Sequence, residues 1–148
     1  MLEVQKGADR MTVPVAEKKG SGMYEISRRK VFSASHQLRG YKGKCERLHG
    51  HNWRVEVHLC AESLDELGMV IDFHDLDEMM AEALEPFEHS HLNEAPPFDT
   101  LNPSAENIAR VVAQGVAERI TDRRVFLKCC DVWENDLSRA RYIPDPRR

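Results

Sequence analysis

From His49 to Leu59 the chain reads His49-Gly50-His51-Asn52-Trp53-Arg54-Val55-Glu56-Val57-His58-Leu59, and every second residue is a histidine or a large apolar side chain. Alternate residues of a strand point to the same face. His49, His51, Trp53, Val55, Val57 and Leu59 therefore share one face, and Arg54, Glu56 and His58 take the other. This pattern predicts a half-buried strand whose apolar face starts with two imidazoles placed to converge on one ion. The upstream segment behaves likewise, because Tyr24, Ile26, Phe32, Ala34 and His36 share a parity. Pairing the two strands would bring His36 to the other two histidines. Three neutral protein ligands with a fourth position open is the pattern of catalytic zinc, whereas structural sites are closed by four ligands rich in cysteine. No CxxC pair is present to suggest a structural knuckle. The same spacing also suits two turn residues about a glycine, with His36 a satisfied strand-end histidine. The nearness of His36 and Cys45 weighs toward a metal.

A chain of 148 residues is one domain by length and can bury a sizeable core. Hydrophobic residues at 41% and charged residues at 31% are ordinary for a globular protein. A formal net charge of −4 without a basic run argues against a nucleic-acid surface. No apolar stretch approaches the ~20 residues that span a bilayer, and residues 1–22 lack the apolar core of a signal peptide. The expected compartment is the cytoplasm.

The four cysteines form no disulfide framework. Cys129 and Cys130 are adjacent in a strand-like run and would point to opposite faces, poorly placed to bond to each other. With Cys60 they read as small buried hydrophobes. Cys45 differs, since it lies among Lys42, Lys44 and the histidines, surroundings that favour a thiolate.

Residues 1–22 are polar, carry Lys18-Lys19-Gly20-Ser21-Gly22 and show no sustained period, so they read as a disordered leader to a single domain at 23–148. Strands are expected at 23–36 and 50–61, joined by a Gly- and Lys-rich loop that holds Cys45. Asp72 is a plausible N-cap for a helix whose core stripe is Phe73, Leu76, Met79, Met80 and Leu84. Pro86 and a histidine-bearing loop, 88–100, end that helix. A second follows Pro103 with Ser104 or Asn102 as cap and Ile108, Val111, Val112, Val116 and Ile120 as its buried face. The last strands fall at 123–134 and 139–143, the former with Val125, Leu127 and Cys129 on one face and Phe126, Cys130 and Val132 on the other. A strand apolar on both faces is covered on both sides, by another subunit or by a second layer within the chain. The order ββααββ indicates an α+β domain, an antiparallel sheet with two helices on one face.

Six ordered blocks carry a resemblance: Phe32-Ser-Ala-Ser-His36, Cys45-x-x-x-His49-Gly-His51-Asn52, Gly68-Met-Val-Ile-Asp72-Phe73, Glu88-His89-Ser-His-Leu92-Asn93, Asn102-Pro-Ser-Ala-Glu106-Asn107 and Val132-Trp133-Glu134. From about Tyr24 to Tyr142 the chain resembles the family of 6-pyruvoyl- and 6-carboxy-tetrahydropterin synthases. The resemblance implies a tunnelling fold, in which subunits of a homo-oligomer, a trimer or a pair of trimers, assemble their sheets into a barrel with active sites at subunit interfaces. It also implies zinc on His36, His49 and His51, and Cys45 as catalytic base. Three residues between that cysteine and His-Gly-His look like the 6-carboxy-tetrahydropterin synthases of queuosine and deazapurine biosynthesis. The implied reaction converts 7,8-dihydroneopterin triphosphate to 6-carboxy-5,6,7,8-tetrahydropterin, with release of acetaldehyde and triphosphate. Zinc would act as a Lewis acid on the substrate side-chain oxygens. His89 falls on the family's relay histidine. Glu88 replaces the usual aspartate before it, keeping the carboxylate on a longer arm.

Glu134 falls on the glutamate that anchors the pterin, whose guanidine-like edge offers two adjacent N–H donors to a carboxylate. Glu106 is a second candidate substrate contact, although the helix dipole alone favours an acid in a first turn. Lys42, Lys44 and Arg47 suit either the triphosphate or a solvated loop, and His58, His74 and His91 read as surface residues. Rival readings are a pyruvoyl-forming or aldolase-like member of the same family, a non-catalytic zinc-binding scaffold, and an unrelated zinc hydrolase using Glu88 or Glu134.

Overall fold

A computed structural model describes residues 22–145. The leader expected at 1–22 lies, apart from Gly22, outside the described residues. Strands β1 (Tyr24–His36) and β2 (His49–Ala61) pair antiparallel from Tyr24 opposite Ala61 to His36 opposite His49. The pairing puts Phe32 across from Trp53 and Ala34 across from His51, so like parities meet on one face. Helix α1 (Phe73–Leu84) and helix α2 (Ala105–Ala117) cover that face. Strands β3 (Ser90–His91), β4 (Val125–Asn135) and β5 (Ser138–Tyr142) complete a five-stranded sheet in the order β3-β1-β2-β4-β5. All its pairs are antiparallel except β3 on β1. The two-residue β3, inside the segment read as a loop at 88–100, is too short to leave a periodicity.

Both helices start where the sequence places a cap. The Asp72 carboxylate accepts from the His74 N–H at 2.8 Å, and the Ser104 hydroxyl accepts from the Asn107 N–H at 3.3 Å. In α1 the stripe Leu76, Met80, Ala83 and Leu84 is buried, but Phe73 is 53% exposed, contrary to its expected place in the core. In α2 the buried residues are Ile108, Ala109, Val112, Ala113 and Val116, with Val111 and Ile120 partly covered at the margin. The helices approach closely at Gly115, where an added Cβ would sit 3.2 Å from the Ala83 Cβ.

Strand β4 departs from the simple alternation. His58 lies opposite Cys129 and Leu59 opposite Leu127, which leaves Lys128 without a cross-strand partner, a β-bulge. The bulge corrects the face assignment. Val125 and Leu127 join the core before it, and Cys130 and Val132 join the same core after it. Cys129 thus parts from Val125 and Leu127, and Phe126 is 44% exposed on the other side.

That other side of the sheet is covered by charge rather than by an apolar layer. Asp131 is 1% exposed, and its two oxygens accept from Arg141 Nε and Nη2 at 2.8 Å each. Burial alone would raise its pKa, but the hydrogen bonds and charge of Arg141, with Arg139 beyond, hold it below the ordinary value. Ser27 and Arg29 donate to Glu56 at 2.7 and 2.8 Å. His58 is no surface residue: its Nδ1 lies 2.8 Å from Glu25 and its Nε2 3.2 Å from Asp131. Long side chains thus lay their stems over the sheet while their heads reach partners or water.

Replacing Leu76, which is fully buried, by Ala is expected to destabilise the protein by about 2–5 kcal/mol. Phe73→Ser at the exposed start of the same helix should stay within roughly 0.5 kcal/mol. Urea titrations of the two variants check the contrast.

Candidate active site

The sheet register turns three spaced histidines into one cluster. His36 and His49 are cross-strand partners, and their Nε2 atoms lie 3.0 Å apart. His51 follows on the same face. Glu134 continues the Val132 parity of β4, and its Oε1 lies 3.0 Å from His51 Nε2 and 4.0 Å from His49 Nε2. One ligand atom from each of the four residues falls within 4.8 Å of every other. Beneath them sits Trp53, fully buried, with its ring centroid 4.8 Å from His36 and 5.1 Å from His51. The indole N–H donates to the Ala34 carbonyl at 3.3 Å, which fixes this floor.

Two of the imidazoles are oriented from behind. His36 Nδ1 lies 2.7 Å from the Pro103 carbonyl and His49 Nδ1 2.6 Å from the Arg47 carbonyl, so each Nδ1–H donates outward and each Nε2 presents a lone pair to the cluster. Backbone carbonyls behind ligating histidines are a recurrent way to set tautomer and ring angle. His51 Nε2 is buried and lacks a well-aligned hydrogen bond despite the nearby Glu134. A buried, unsatisfied nitrogen aimed at two others is what a bound cation would complete, so the donor set fits a metal ion. The protonation states agree. Burial is the main cause that lowers the pKa of both His36 and His51, helped by neighbouring imidazoles and opposed by Glu134, so the neutral ligand form is favoured.

A pocket of about 290 Å³ opens beside the cluster, lined by His36, Cys45, Glu106 and Glu134 together with Leu38, Tyr41 and Arg139. The structure therefore brings four of the sequence-predicted site residues to one cavity. Cys45 sits half-buried in a 3-10 turn (Lys44–Glu46), with its carbonyl accepting from the Leu38 N–H at 2.9 Å. Lys42, Lys44 and Arg47 are exposed and do not line the pocket.

Glu88 and His89 lie elsewhere. They flank β1 at Ser33, whose N–H donates to the Glu88 carboxylate at 3.2 Å and whose carbonyl accepts from the His89 N–H at 2.7 Å. His89 lines a second depression with Ser33, Ala34, Ser35, Gly50, His51 and Asn52, apart from the one that holds Cys45. Its backbone φ is 53°, in the left-handed region that disfavours non-glycine residues. Its side chain is 82% exposed, and its backbone is held there by the 2.7 Å bond to Ser33. The Glu88 carboxylate lies 3.3 Å from His89 Nε2, near enough to orient it. His91 is half-buried, with Nδ1 3.3 Å from the Ser35 hydroxyl, rather than on the surface as expected.

Sequence reading missed Trp53 as the floor, the Pro103 and Arg47 carbonyls behind the imidazoles, and Tyr41 and Arg139 in the pocket wall. Carbonyls carry no residue signature, and Trp53 was legible only as one apolar position among several. A further group, His58, Cys129 and Asp131, also has donor atoms within 4.8 Å. Its carboxylate is already held by Arg141, with Arg139 at 3.4 Å, and those fixed positive charges oppose a dication.

Two outcomes are expected of this cluster. His51→Ala should cut tightly bound metal from about one equivalent per chain to well below it, while His91→Ala keeps it, measured by elemental analysis after dialysis. In the metal-free protein the unfolded chain binds protons to His36 and His51 below the ordinary value of 6.5 that the folded chain excludes, so stability falls as pH drops below 6.5. Glu56, Glu25, Asp131 and Asp77, whose values are also lowered, begin to lose their contribution about one unit above their ordinary values of 4.5 and 3.8, so melting temperatures between about pH 5.5 and 6.5 read the histidines.

The family model for 6-pyruvoyl tetrahydropterin synthase matches residues 25–145. The chain is 32% identical to the 6-carboxy-5,6,7,8-tetrahydropterin synthase of Haemophilus influenzae, over 81% of this chain and 99% of that protein. It is 33% identical to the protein of the same name from Synechocystis, over 82% and 94%. In structure it superposes on 6-pyruvoyl tetrahydropterin synthase of Caenorhabditis elegans with a TM-score of 0.76 at 24% identity, covering 84% of this chain and 97% of the other. With its α+β architecture of one sheet and two helices, this places the chain in the tunnelling fold. The chain belongs to the 6-pyruvoyl tetrahydropterin synthase family.

Proposed function

We propose that this protein is a zinc-dependent 6-carboxy-tetrahydropterin synthase. It would convert 7,8-dihydroneopterin triphosphate, with uptake of water, to 6-carboxy-5,6,7,8-tetrahydropterin, acetaldehyde and triphosphate. The observation that carries the reading is the convergence of His36, His49 and His51 beside a pocket that His36 lines together with Cys45 and Glu134. Three residues between Cys45 and His49, and relatives named 6-carboxy-tetrahydropterin synthase, support the carboxy product over the pyruvoyl one. The setting is queuosine and deazapurine biosynthesis in the cytoplasm.

His36, His49 and His51 would hold the zinc, leaving one position open. When bound, zinc supplies Lewis acidity toward side-chain oxygens of the substrate. Cys45, as thiolate, accepts a proton from the substrate side chain. Glu134 accepts from the pterin's paired N–H groups through its carboxylate, and Glu106, an exposed residue on the same pocket, is an additional contact. Leu38 keeps one side of the cavity apolar, which strengthens these charge-assisted bonds.

Glu88 and His89 do not line the Cys45 pocket of their own chain and would reach it from another copy. In a homo-oligomer, a trimer or a pair of trimers whose sheets close into a barrel, the exposed His89 ring of one copy would relay protons for Cys45 of its neighbour. Glu88 keeps contact with its Nε2 despite the longer side chain.

The test is to incubate zinc-loaded protein with 7,8-dihydroneopterin triphosphate and identify products by mass spectrometry beside an acetaldehyde assay. Carboxy-tetrahydropterin with acetaldehyde is expected, and a pyruvoyl product would overturn the assignment. Cys45→Ala should lower turnover by about 10²–10⁴-fold while zinc content and assembly stay unchanged.

A further inference from the structure

Beyond His36 the chain leaves β1, yet residues 37 to 39 keep their backbone groups paired in an unusual way. Asn93 Oδ1 accepts from the Gln37 N–H at 2.9 Å, and Asn93 Nδ2 donates to the Gln37 carbonyl at 2.8 Å. Two residues on, Asn102 repeats the arrangement with Arg39, accepting at 2.9 Å and donating at 3.0 Å. A side-chain amide carries the same donor and acceptor pair as a peptide group, so each asparagine acts as one rung of a β-ladder. On the opposite edge the Leu38 N–H donates to the Cys45 carbonyl at 2.9 Å. Residues 37–39 are thus the centre of a small ladder whose outer rungs are two asparagine side chains on one side and the Cys45 backbone on the other.

We infer that Asn93 and Asn102 are positioning residues that hold Cys45 at the metal cluster by locking the exit of β1. Asn102 has a second hold on the same site, because the next residue, Pro103, supplies the carbonyl behind His36. Its own carbonyl accepts from the Asn107 amide at 2.9 Å, which ties the arrangement to the first turn of α2. The Arg39 guanidinium closes the circuit, donating to the Asn93 and Phe98 carbonyls at 3.0 and 2.7 Å. Apart from these contacts, the hydrogen bonds of the loop that carries Cys45 are, among the described residues, short-range backbone turns, the Arg47 carbonyl to His49 and one further strap from Arg39 to Leu101, and its residues from Tyr41 to Lys44 are exposed. The position of the thiol relative to the imidazoles is therefore set by the two asparagines more than by packing. The inference concerns catalysis only on the reading of Cys45 as the base.

The experiment compares wild type with Asn93→Ala, Asn102→Ala and Asn102→Asp, the last retaining the acceptor for the Arg39 N–H and losing the donor. For the two alanine variants kcat is expected to fall about ten- to a hundred-fold with KM within about twofold, as for a misplaced catalytic group. In parallel, iodoacetamide alkylation of Cys45 in the folded, metal-loaded protein, followed by mass spectrometry, should accelerate about tenfold as the loop opens. The buried Cys60, Cys129 and Cys130 serve as internal controls for folding. Asn102→Asp should fall between wild type and alanine, and carries the comparison if an alanine variant does not fold. A lower melting temperature with unchanged alkylation and unchanged kcat per folded chain would reduce the asparagines to general stabilisers and overturn the inference. If the wild type turns over no pterin, the proposed activity fails, and the alkylation rates alone decide the positioning.

Discussion

The antiparallel register of β1 on β2 is the constraint on which the rest of the molecule depends. It sets His36 opposite His49 and Ala34 opposite His51, so that the smallest available side chain lies where a ring must turn inward. The same register puts Phe32 on Trp53, the largest buried pair, with ring centroids 6.2 Å apart. A slip of one residue would move every apolar side chain of one strand to the charged face and every histidine with it. The core therefore secures the site: burial of Phe32, Trp53, Val55, Val57 and Leu59 holds the register, and the register holds the imidazoles.

The two faces of the sheet meet this demand by different means. One is covered by helices and is apolar until its end, where the histidines and Glu134 replace hydrocarbon. The other is a lattice of charge-assisted hydrogen bonds centred on Glu56 and Asp131, both buried. Buried carboxylates of this kind are tolerated only when their partners are complete. The helix-free face is thus a finished surface along β2 and β4, whereas around Ser33, Gly50 and His89 it is open and strained.

Much of this was legible in the residues because period and caps report local geometry directly. The parity of β1 and β2, the caps at Asp72 and Ser104, and the meeting of His36 with His49 and His51 all follow from spacing. Phe73 was misread because a helix's first residue can satisfy the period and still overhang the core. The bulge at Lys128 has no spacing signature, since an extra residue shows only against the partner strand. It misassigned the faces of Cys129 and Cys130 and concealed the buried partners of His58 and Asp131. The carbonyls of Arg47 and Pro103, and the amide pairs of Asn93 and Asn102, depend on loops brought together from far along the chain. The placement of Glu88 and His89 is a relation between faces, which alternation alone cannot supply.

The bulge at Lys128 has a further consequence for how this family member can change. Beyond it, Cys130, Val132 and Glu134 face the site side, and Asp131 and Trp133 face away. Drawing Lys128 into the ladder, with no residue bulged out, would leave Val125 and Leu127 seated yet turn every later side chain over, offering Trp133 to the imidazoles and sending Glu134 to the arginines. The extra residue is thus an indexing device, and it lets the strand's two ends answer to separate pressures. Its first half is free to track the core, while its second half is set to the chemistry.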